Sequence, residues 1–141
     1  MSIKKSMSAL TVYSIIESPF YPELHELYQS FGMKEIKFNS MRKAISQLKK
    51  QLPDLIVADF VYGYGNNYAG ANVCNLDVLL RSLEPFRKDY KLIVFVDKEE
   101  QEFVQKLHDL FPVSMALLNP VKPEHMKTVL EELGYRNANL G

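Results

Sequence analysis

The stretch Leu52–Phe60, LPDLIVADF, constrains the fold more than any other part of the chain. Pro53 opens it, Leu55, Ile56, Val57 and Ala58 fill it, and Asp59 stands at its far end. A run this short and this apolar, bounded by a proline and by the turn residues after Tyr62, predicts a strand buried on both faces. Such strands belong to parallel sheets covered by helices on each side. In those sheets ligands and chemistry gather at the carboxyl ends of the strands, so Asp59 is a candidate site residue from its position alone.

The remaining elements alternate around this strand. Ala9–Ile16 is rich in β-branched and aromatic residues and predicts a first strand. Ser18-Pro19 predicts a helix start, with Phe20, Leu24, Leu27, Tyr28 and Phe31 at helical spacing and Gly32 closing it. Glu35–Asn39 follows as a strand, and Ser40 caps a second helix that turns Met41, Ile45, Leu48 and Leu52 inward. After the central strand, Val61–Asn75 carries three glycines, four asparagines and three tyrosines, the composition of a loop. Asn75 is placed to cap a third helix bearing Leu76, Leu79, Leu80 and Leu83. Lys91–Val96 is a fourth strand. Asp97 and Glu100 form a capping-box pair for a fourth helix with Phe103, Leu107 and Leu110 inward. Val113–Leu118 is a fifth strand. Pro123 opens a fifth helix carrying Met126, Val129, Leu130 and Leu133, which Gly134 ends. Five strands alternating with five helices predict one α/β domain, a doubly wound parallel sheet of order 2-1-3-4-5. Its expected span is residues 9–134, between a polar arm at 1–8 and a tail at 135–141.

Composition narrows the function classes. Lys plus Arg and Asp plus Glu are each 17, giving a net charge of zero, which argues against a general nucleic-acid binder. No apolar run approaches the ~20 residues of a membrane helix, and no secretory leader is legible at the start, so a cytoplasmic location is expected. Cys74 is the single cysteine, which leaves no internal disulfide and no cysteine cluster for a metal. His25, His108 and His125 fall on different predicted helices and form no triad. Arg42, Lys43, Lys49 and Lys50 read as the solvated face of a helix rather than a nucleic-acid contact.

From Ala9 to Leu133 the chain resembles a response-regulator receiver domain. PDLIVAD at Pro53–Asp59 looks like the third receiver strand, which ends in the aspartate that accepts a phosphoryl group. NPVKPEHM at Asn119–Met126 looks like the end of the fifth strand and the turn before the last helix. The resemblance implies a flavodoxin-like sheet and a site with further members. Receivers carry an acidic pair for Mg²⁺ at the end of the first strand, a hydroxyl residue at the end of the fourth, and a lysine after the fifth. Counted back from Gly32, the acidic pair falls at Ile15 and Ile16, with Glu17 just beyond. Val96 stands at the hydroxyl's place, followed by Asp97, and Asn119 stands at the lysine's. Mg²⁺ needs hard oxygen ligands, and a lysine neutralises phosphoryl charge where an amide only donates a hydrogen bond. The expectation is therefore a degenerate receiver, a pseudo-receiver with Asp59 retained. It has no catalytic activity, no cofactor and no bound metal, and it acts by binding a protein partner. The alternative is an atypical receiver that accepts phosphate on Asp59, with Mg²⁺ held by rearranged Glu17 and Asp97.

Two surfaces are candidates for the partner. Tyr62, Tyr64 and Tyr68, with Asn66 and Asn67 between them, have the composition of a recognition loop, although tyrosines of a long insertion can equally pack onto their own domain. The last two helices form the face through which receivers dimerise, so a homodimer there is also expected. A small-ligand crevice at Ile15, Phe60, Tyr62 and Asn119 is the third possibility. Gly63-x-Gly65 is no phosphate cradle, since no Lys-Ser/Thr follows it.

Overall fold

The computed structural model describes residues 10–17, 22–63, 74–86 and 89–137. Five strands form one parallel sheet: β1 Leu10–Ile15, β2 Met33–Phe38, β3 Leu55–Asp59, β4 Lys91–Val96 and β5 Met115–Leu118. Their order is β2-β1-β3-β4-β5, as the alternation of elements predicts. β1 lies between β2 and β3, with Leu10 opposite Met33 and Val12 opposite Leu55. The chain therefore winds both ways from β1, and the crevice between the ends of β1 and β3 is the switch point. The helices are α1 His25–Ser30, α2 Met41–Gln47, α3 Asp77–Leu83, α4 Val104–Leu110 and α5 Pro123–Glu132. A 3-10 segment, Lys98–Phe103, leads into α4.

Strand periodicity divides the core into two layers. Tyr13, Ile15, Ile56, Ala58, Leu92, Val94 and Val96 face α2, α3 and α4, meeting Ala44, Leu80 and Leu107. Val12, Leu55, Val57, Ile93 and Phe95 face α1 and α5, meeting Tyr28, Phe31, Met126 and Leu130. Successive side chains point to opposite faces, so both sets are apolar only because the sheet is covered twice. Gly32 and Gly134 adopt positive φ, 71° and 99°, and close α1 and α5 as left-handed caps. Ser40 caps α2, its Oγ accepting the Lys43 N–H at 3.3 Å. Beyond α5, Tyr135 packs against the second layer and Asn137 Nδ2 donates to Ser30 Oγ at 3.3 Å.

Four local expectations are corrected. Pro22 to Leu24, expected inside the first helix, are not helical and α1 runs from His25; the expected start at Ser18-Pro19 lies outside the described residues. Pro22 works against one helix running unbroken from Ser18 to Phe31. In a helix capped at Ser18 it would occupy the fourth position, where the first intrahelical N–H is needed and proline has none. Asn75 does not cap α3, whose N-cap is Leu76 without a side-chain bond. Asp97 and Glu100 form no capping box, because the segment after them is 3-10 and both side chains are used elsewhere. Leu110 is 50% exposed rather than inward, because Phe111, four residues after Leu107, takes the buried place.

Candidate functional site

β3 carries Asp59 to the carboxyl edge of the sheet, level with Phe95 of β4 and one residue past the Ile15–Ala58 pair. The carboxylate reaches across the switch point, where Oδ2 accepts the Glu17 backbone N–H at 3.0 Å. The backbone carbonyl of Asp59 accepts from Asn75 Nδ2 at 2.8 Å. Asn75 also accepts the Val61 N–H on its side-chain oxygen at 2.8 Å and donates its own N–H to Val61 O at 3.1 Å. One nearly buried amide thus ties the end of β3 to both feet of the loop. Tyr62 and Cys74 complete the closure as an isolated antiparallel bridge. Tyr64, Asn66, Asn67 and Tyr68 lie outside the described residues.

The near foot of this loop is fastened to the segment after β4. The Tyr62 N–H donates to Glu100 Oε1 at 3.3 Å, and its ring stacks on Phe103 at 3.9 Å between centroids and 9° between planes. Lys106 Nζ donates to the Tyr62 hydroxyl at 3.3 Å and lies 5.4 Å from the ring centroid, within cation–π range. The far foot rests on α3. Buried Asp77 accepts the Cys74 N–H at 2.8 Å and pairs with Arg81 at 3.4 Å. Burial pushes the Cys74 thiol up to about 12, so it is held as the neutral thiol. Past the end of β5, Asn119 Nδ2 donates to Asp97 Oδ1 at 2.8 Å, and the Asn119 N–H donates to Val96 O at 2.9 Å.

Comparison with known proteins agrees with the topology. No family model and no curated protein matches the chain. Solved structures do match. The receiver domain of AraT, a response regulator from Geobacillus stearothermophilus, superposes with a TM-score of 0.69 at 16% identity, covering 89% of this chain and 92% of that one. A response regulator from Thermotoga maritima gives 0.62 at 19% identity, covering 89% and 97%. A receiver-domain protein from Clostridium thermocellum gives 0.65 at 10%, covering 93% and 95%. The chain has the receiver fold.

Within the receiver fold, the expected site positions fall as follows. Ile15 and Ile16, where the resemblance places an acidic pair, are both buried, one in each core layer. Glu17 is exposed, and its bond to Asp59 comes from its backbone. Val96 is fully buried, and Asp97 and Asn119 pair with each other. Among the described residues, no group of three or more His, Cys, Asp or Glu is arranged to hold a metal ion. The four residues of the small-ligand crevice have separate engagements: Ile15 and Phe60 are core residues, Tyr62 stacks on Phe103, and Asn119 pairs with Asp97. Glu100, Phe103 and Lys106 were not legible as neighbours of the loop, because nothing local joins them to Tyr62 about forty residues earlier. No helix among the described residues is long and apolar enough to cross a membrane.

Proposed function

We propose that the protein is a receiver-fold regulatory module that acts by binding a protein partner, without phosphoryl chemistry at Asp59. The observation that carries this reading is the company of Asp59. The Mg²⁺-holding positions are buried isoleucines, the hydroxyl position is the buried Val96, and the cation position is an amide bonded to Asp97. A phosphoryl group of charge near −2 on Asp59 would meet, at the place the resemblance gives to a lysine, the Asn119 amide, which donates a hydrogen bond to Asp97 and carries no charge. The module is non-enzymatic and needs no cofactor. Its partner docks either on the loop, whose two feet are held by Asn75 and the Tyr62–Phe103 stack, or on the face of α4, β5 and α5. Leu110, at the end of α4, and Leu118, at the end of β5, are 50% and 43% exposed.

The competing reading is an atypical receiver that accepts phosphate on Asp59, with Glu17 and Asp97 rearranged around Mg²⁺. Intact-mass measurement after incubation with acetyl phosphate and Mg²⁺ separates the two. The expected spectrum has no phosphoryl increment, and Asp59→Asn gives the same one. An increment in the wild type that Asp59→Asn abolishes would establish the phosphoacceptor instead.

A further inference from the structure

The amino-terminal edge of the sheet, opposite Asp59, carries a feature that the receiver reading does not use. α2 and α3 both end there, on the way into β3 and β4. Between their last turns lies a groove of about 540 Å³. Ile45, Leu48, Leu52 and Phe86 form its apolar lining, and Lys49 and Lys50 stand on its rim. Phe86 is 70% exposed, the most exposed large apolar side chain among the described residues. No acid lines the groove, and neither lysine takes part in an ion pair among the described residues.

We infer that this groove is a docking site for an acidic, apolar-anchored peptide segment of a partner protein. Charge complementarity selects the occupant. Two adjacent cations beside bare apolar surface fit a segment with one or two bulky side chains flanked by Asp or Glu. Openness selects a peptide over a small amphiphile. A small-molecule site buries most of its ligand, whereas a groove whose main aromatic is this exposed encloses little. A helical or extended segment can cover Phe86 from above while its anchor reaches Leu48. The lysines also follow the last turn of α2, where a cation complements the helix end, so the same charges serve both roles.

The test is selection of randomised 12-residue peptides, displayed on phage, against the whole chain. Enriched peptides are expected to pair bulky apolar residues with acids. Their binding, read by fluorescence anisotropy, should weaken at least about tenfold in Phe86→Ala and in the double variant Lys49→Ala/Lys50→Ala, and should fall with added salt. All three positions are exposed, and circular dichroism checks that each variant folds. Four outcomes overturn the proposal: no enrichment, an enriched pool without acids, peptides whose affinity both variants retain, or dimerisation that Phe86→Ala abolishes. Binding of the unselected protein to phosphatidylglycerol vesicles through the same residues would also overturn it, by assigning the groove to a membrane surface.

Discussion

Asn75 is the residue on which the site geometry turns. Its amide satisfies the carbonyl of Asp59 and the N–H of Val61 at a nearly buried position. Asn75→Ala orphans both groups and should cost about 2 kcal/mol or more of unfolding free energy in urea titrations. Cys74 beside it makes a prediction about pH. Burial raises its thiol from 9.0 to about 12, so the folded chain holds that proton more tightly than the unfolded one. The associated stability is complete below about pH 9 and is lost as pH rises toward 12. Between about pH 8 and 10.5 the wild type should therefore lose more stability than Cys74→Ala. Tyr13, likewise raised to about 12 by burial, contributes equally to both and cancels in the comparison. At pH 8 the thiol should react with iodoacetamide only at the rate of unfolding.

Among the elements, the strands were the most legible. Leu55 to Ala58 and Leu92 to Val96 are apolar at every position, which only a doubly covered strand requires. The helix termini were read less well. Asn75 has the chemistry of a helix cap, but its partners lie fourteen and sixteen residues back across the loop, and no local pattern marks them. The break at Pro22 to Leu24 follows from the proline's missing N–H, while the expected start at Ser18-Pro19 lies outside the described residues. The 3-10 segment at Lys98–Phe103 places Phe103 under Tyr62, a pairing that sequence spacing does not encode. That stack should be energetically coupled. A double-mutant cycle of Tyr62→Ala and Phe103→Ala should give about 1 kcal/mol of interaction free energy, whereas two independent sites would give none.

At the scale of the whole molecule, two core layers hold a sheet whose carboxyl edge has been closed by backbone and amide bonds. The layers carry the stability. Leu80→Ala, at a fully buried position, should cost about 3 kcal/mol, while Phe86→Ala should stay within about 0.5 kcal/mol. The central claim is that this scaffold keeps the receiver aspartate without the surroundings that bind metal and phosphoryl. It is tested most directly by amide NMR spectra of the protein titrated with Mg²⁺, alone and with beryllofluoride as a phosphoryl mimic. The account predicts that the signals of Glu17, Asp59, Val96 and Asn119 stay in place through millimolar Mg²⁺. Saturable shifts of those four signals, abolished by Asp59→Asn, would contradict it.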